Sequence, residues 1–179
     1  AGGSDYVEGQ LGETYIQFSK ILTSDKNFSG IFMIVGFNKY FNGSYYIIPR
    51  KYATGLLMFS KVMNEMYNDV PKIIDLENPN FEQEYAVFGS DSIEARYILT
   101  PLFMDKMLQF SEEVKNDIYV SFTRSRMFLA FGTKSNDIFE PSLTEETTLQ
   151  DIKEWSKALQ SAIGIVDEFG LNTRIWSKK

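Results

Sequence analysis

Residues 28–49 read FSGIFMIVGFNKYFNGSYYIIP. Residues 28–37 are so densely apolar that they predict a strand buried on both faces. Their longest apolar run, GIFMIVGF at 30–37, is far short of the roughly 20 residues a membrane-spanning helix needs. Asn42-Gly43 is a turn signal, because both residues tolerate the positive φ of tight hairpin turns. A second strand then runs to Pro49, which cannot donate to a ladder. The stretch therefore predicts two strands joined by a turn.

The flanks extend this pattern. Residues 6–21, YVEGQLGETYIQFSKI, predict two strands around Gly12, with partial alternation of apolar and polar positions. KIIDLENPNF, 72–81, predicts a strand and a turn at Asn78-Pro79, and EYAVFG, 84–89, another strand. DIYVSF at 117–122 and RMFLAF at 126–131 flank a short TRSR link and predict a β-hairpin.

Helical spacing recurs in three places. Tyr52, Leu56, Phe59, Met63, Met66 and Val70 follow at intervals of four or three. The methionines there fit core filling better than a plastic binding groove. Thr100-Pro101 reads as an N-cap followed by Pro at the first helical position, ahead of the stripe Phe103, Met107, Phe110 and Val114. A last helix is predicted from near Thr148 to Gly170, with Ile152, Trp155, Leu159, Ala162, Val166 and Phe169 on one face. That pattern is too short to argue for a coiled coil, so packing on the domain's own sheet is expected. Together these elements predict a single α+β domain over residues 1–179: an antiparallel or mixed sheet built from hairpins, with about three helices packed on it.

Composition narrows the chemistry. The 179 residues contain no Cys and no His. Thiol nucleophiles, disulfides, Ser-His-Asp triads and the usual zinc sites are therefore excluded. A net charge of −6 argues against nucleic acid as a partner, because phosphate neutralisation needs a basic face. EGQLGE, 8–13, lacks a phosphate-loop Lys, and DLENPNFEQE, 75–84, lacks the alternating ligands of a Ca²⁺ loop. No cofactor is predicted.

The densest polar motif is FGSDSIEARYILTP, 88–101. Asp91 and Glu94 could form a catalytic carboxylate pair. Asp-x-x-Glu at a strand-to-helix junction is also a capping-box pattern, in which the Glu reaches back to the cap's own N–H. The capping reading is preferred. Arg96 has Ser92 and Ile93 at the positions four and three before it, so its partner must be distant. It is read as a partly buried guanidinium bridging loops, with an anion anchor as the alternative.

FSGIFMIVGFNKYFNG, LENPNFEQEYAVFGSDSIEARYILTP, FEPSL and LNTRIW, in this order, resemble a bacterial family, the domain-of-unknown-function family 3137. Asp91, Glu94, Ala95, Arg96, Tyr97, Leu99, Thr100 and Pro101 carry the most specific part of the likeness. Residues 52–70 depart from the pattern. The resemblance implies a membrane-anchored protein whose soluble C-terminal domain is this chain, on the cytoplasmic side. It implies no reaction and no catalytic residue. The function expected is a non-enzymatic interaction or scaffold domain with a protein partner. The alternatives are a carboxylate-dependent enzyme, Mg²⁺-assisted or not, and a lipid- or peptide-binding module. In the terminal LNTRIW, Trp176 is expected to dock on the core and Arg174 to pair with Glu94 or Glu140, since an exposed Trp is unfavourable and chain ends fray unless held.

Overall fold

The computed structural model describes residues 2–12, 14–23, 28–55, 72–132 and 148–149, together with 153, 156, 160, 163, 164, 166 and 167. Its strands are β1 (Gly2–Leu11), β2 (Thr14–Leu22), β3 (Ser29–Pro49), β4 (Lys72–Ile74), β5 (Tyr85–Gly89) and β6 (Ile118–Gly132). The helices α1 (Pro79–Glu84), α2 (Ser92–Ile98) and α3 (Pro101–Val114) lie between β4 and β6.

All six described strands form one antiparallel sheet in the order β1-β2-β3-β5-β4, with β6 also paired to β3. β3 is the axis. Residues 29–36 pair with β2 and residues 45–49 with β5, while β6 pairs along both halves.

This overturns the expected α+β class: the domain is mostly antiparallel sheet, and α1, α2 and α3 have only 6, 7 and 14 residues. The two expected turns are the reason. Asn42-Gly43 lies inside the 21-residue β3, and TRSR lies inside the 15-residue β6. The two segments face each other and form a broad bulge. Between the pairs Gly36↔Arg126 and Ser44↔Thr123, β3 advances eight residues and β6 three. A bulge exploits the same backbone tolerance as a turn, so the two share a sequence signature. Arg124, opposite Phe41, has a left-handed φ of 54°.

The bulge keeps both halves of each strand facing one core. In β3 the buried residues are Ile31, Met33 and Val35, then Phe41, Tyr45 and Ile47. In β6 they are Ile118, Val120 and Phe122, then Met127, Leu129 and Phe131, so the buried parity changes across Arg124. Without that offset half of β6 would turn its apolar side chains to the opposite face.

Helix α3 covers this face. Thr100 accepts the Phe103 N–H at 3.2 Å and Pro101 opens the helix, as the sequence predicts. Lys115 ends it in the left-handed conformation. The ring of Phe103 meets Phe122 at 5.9 Å, and Phe110 meets Phe131 at 5.0 Å, both edge-on. Each such burial contributes roughly 1.5–3 kcal/mol. Asn78-Pro79 starts α1 rather than a free turn, with the Phe81 N–H donating to Asn78 Oδ1 at 3.1 Å.

Val166 is fully buried in the same core, while Lys153, Ser156, Gln160 and Asp167 are exposed. Val166 thus packs as the last helix was expected to pack. Its other apolar positions, and residues 56–70 of the earlier helical pattern, lie outside the described residues. A smaller cluster, Ala53, Ala86 and Phe88 with Ile48, covers the second face of β5. No described helix is long and apolar enough to cross a membrane.

The positive φ at Arg124 yields a test. Arg124→Gly removes a steric cost and should raise stability by about 0.5–1 kcal/mol in denaturant unfolding, whereas the β-branched Arg124→Val should lower it by about 1–2 kcal/mol.

Candidate functional site

The polar motif sits where β5 hands the chain to α2, beside the bulge of β3. Tyr45 pairs across the sheet with Gly89, the last residue of β5. A Cβ on Gly89 would lie 2.4 Å from Tyr45 Cδ1, and one on Gly43 would lie 2.1 Å from Ser90 Oγ and 2.7 Å from Tyr45 Oη. The two glycines thus leave the slot that the Tyr45 ring occupies.

Asp91 caps α2: its Oδ1 accepts the N–H groups of Ile93 at 2.7 Å and Glu94 at 3.2 Å. Glu94 reaches across to β3, where the capping-box reading had it turn back to the cap. Oε1 accepts the Asn42 backbone N–H at 3.1 Å and its Nδ2 at 3.4 Å. Oε2 accepts the Gly43 N–H at 3.0 Å and the Tyr45 hydroxyl at 2.6 Å. Hydrogen bonds to an ionised acceptor are about twice as strong as neutral ones. Tyr45 is fully buried. Burial first, and the bond to Glu94 second, hold its hydroxyl well above the usual phenol range.

Chemically this is a clamp. A general acid or base needs an oxygen directed at substrate. Both Glu94 oxygens instead face donors of β3, and Asp91 faces the backbone of α2. Among the described residues no group of three or more Asp or Glu side chains could hold a metal ion.

Arg96 is exposed and donates to the Asp75 carbonyl at 3.4 Å. It links α2 to the segment after β4 from the surface, where a partly buried guanidinium was expected. Glu140, Arg174 and Trp176 lie outside the described residues, and so does the expected docking of LNTRIW.

Sequence reasoning passed over three other features. Lys51 pairs with Asp117 at 2.7 Å, Tyr52 donates to Asp117 at 2.9 Å, and the Tyr52 ring stacks on Tyr119 at 6.3 Å. Burial is the main cause that pushes Tyr119 up to about 12. On the β1–β2 hairpin, Tyr6 and Tyr15 both donate to Glu8, whose carboxyl is held below the usual range, by the Tyr15 bond first. On the sheet face opposite α3, an apolar groove of about 240 Å³ is lined by Phe32, Tyr46, Ile48, Tyr119, Phe128 and Ala130 among others. The aromatic richness of the chain was the only signal for these.

The family profile of DUF3137, described as a protein of unknown function, matches residues 26–171. The chain belongs to the DUF3137 family. Asn42, Gly43, Tyr45, Asp91 and Glu94 all fall inside the matched DUF3137 region, while β1 and β2 precede it. Among solved structures, the chain is similar to the crystal structure of the mycobacterial trehalose monomycolate transport factor A, TtfA, with 11% identity and a TM-score of 0.47 over 92% of this chain and 72% of that one. No curated protein matches it.

Two substitutions test the clamp. Asp91→Ala should cost about 1 kcal/mol, the usual worth of an N-cap. Tyr45→Phe should cost about 2 kcal/mol at neutral pH, the scale of a hydrogen bond to a charged group. It should also change the alkaline limb. Native Tyr45 keeps its proton above the ordinary tyrosine pKa of about 10, so the native state binds more protons than the unfolded state there, and stability falls as pH rises past that value. Unfolding measured from pH 8 upward should fall less steeply in Tyr45→Phe than in the wild type.

Proposed function

We propose that this chain is a non-enzymatic interaction or scaffold domain acting at a bacterial membrane through a protein partner. One observation carries the first half of this reading. Of the two acids that most resemble a reaction centre, Glu94 has both oxygens directed at donors of β3, and Asp91 has its Oδ1 on two backbone N–H groups of α2. Such an arrangement fixes geometry, as a cap and a clamp do. In this reading the domain works on the cytoplasmic side of the membrane, a placement supported by the motif resemblance alone.

A second reading, a lipid- or peptide-binding module, is favoured by the apolar groove on the sheet face opposite α3.

Complementation separates a scaffold from an enzyme. Asp91→Asn keeps a good N-cap but removes the carboxylate. In cells lacking the gene, Asp91→Asn and Glu94→Gln in the full-length protein should each restore the phenotype in proportion to the amount of folded protein. Loss of rescue by Asp91→Asn at wild-type folded levels would overturn the scaffold reading in favour of a carboxylate-dependent enzyme.

A further inference from the structure

We propose that Asn42 is a deamidation site which Glu94 holds closed, and that its conversion breaks the contact between α2 and β3. Asn followed by Gly is the dipeptide most prone to this reaction, because the glycine nitrogen has no neighbouring side chain to hinder it. The Gly43 nitrogen bonds to Asn42 Cγ and gives up its proton to a solvent base. The Cγ–Nδ2 bond breaks and ammonia leaves. Water then opens the succinimide at either carbonyl, giving aspartate or isoaspartate.

The structure opposes each early step. The Gly43 N–H donates to Glu94 Oε2 at 3.0 Å, so the attacking nitrogen is engaged, and a carboxylate beside it disfavours the amide anion. The Asn42 N–H and Nδ2 are held on Oε1 at 3.1 and 3.4 Å, so presenting Cγ to Gly43 requires leaving Glu94. Asn42 is nonetheless exposed, and water and base reach it whenever the clamp opens. The product replaces a donor on Glu94 Oε1 with a second carboxylate, and like charges repel. Isoaspartate also adds a backbone atom inside the bulge. Each opening of the clamp therefore risks a chemical change that keeps it open.

The test incubates purified protein at mildly alkaline pH, well below its melting temperature, and follows Asn42 by peptide mass spectrometry, with the denatured wild-type chain as the upper limit. The folded wild type should convert much more slowly than the denatured chain, and folded Glu94→Gln several times faster than the wild type. Equal rates in folded and denatured wild type, or in wild type and folded Glu94→Gln, would overturn the proposal. Should Glu94→Gln fail to fold, melting of Asn42→Asp against Asn42→Ala decides the second half: Asn42→Asp should melt lower, and equal melting would overturn it.

Discussion

The Glu94 carboxylate, accepting from Asn42, Gly43 and Tyr45, is the interaction on which the sheet depends. β3 departs from the β6 ladder after Gly36 and rejoins it fully at Ser44. Backbone donors in such an interval need acceptors from elsewhere, since an unpaired buried N–H costs about as much as a lost hydrogen bond. Glu94 supplies an acceptor to two consecutive N–H groups and, through Asn42 Nδ2 and Tyr45 Oη, fixes the side chains on either side. Register downstream then follows. A slip of one residue after the bulge would turn Tyr45 and Ile47 out of the core and bring Tyr46 in.

The clamp itself depends on small residues and on a cap. Gly43 and Gly89 leave room for the Tyr45 ring, and Asp91 fixes the first turn of α2, which aims Glu94 at β3. Tyr45 joins the two scales of the fold. Its ring belongs to the apolar core and its hydroxyl to the clamp, so packing and hydrogen bonding constrain the same side chain. The α2 helix, only seven residues long, gains its place from these contacts more than from its own propensity.

Much of this was legible locally. The Thr100-Pro101 start of α3, Asp91 as a cap, and the buried stripe Phe103, Met107 and Phe110 follow from short-range rules that act within a few residues. The long strands were not legible, because Asn42-Gly43 and TRSR signal backbone tolerance without saying whether the chain reverses or bulges. A turn and a bulge differ in what lies across the sheet, and that is set by pairing between β3 and β6. Glu94 was misassigned for a similar reason. Its spacing from Asp91 fits a capping box, while its partners on β3 are 49 to 52 residues away. Tyr45 carried no signal among ten tyrosines. Arg96 was expected to be partly buried, but as the fifth residue of the short helix α2 it is exposed beside Asp75.

The central claim is that Glu94 and Tyr45 act on stability through each other. A double-mutant cycle with Tyr45→Phe, Glu94→Ala and the double variant, read by denaturant unfolding at neutral pH, measures that coupling directly. The account predicts an interaction energy of about 1 kcal/mol or more, because removing either partner removes the same bond. Effects that add to within about 0.3 kcal/mol would mean the two residues act independently, and would contradict it.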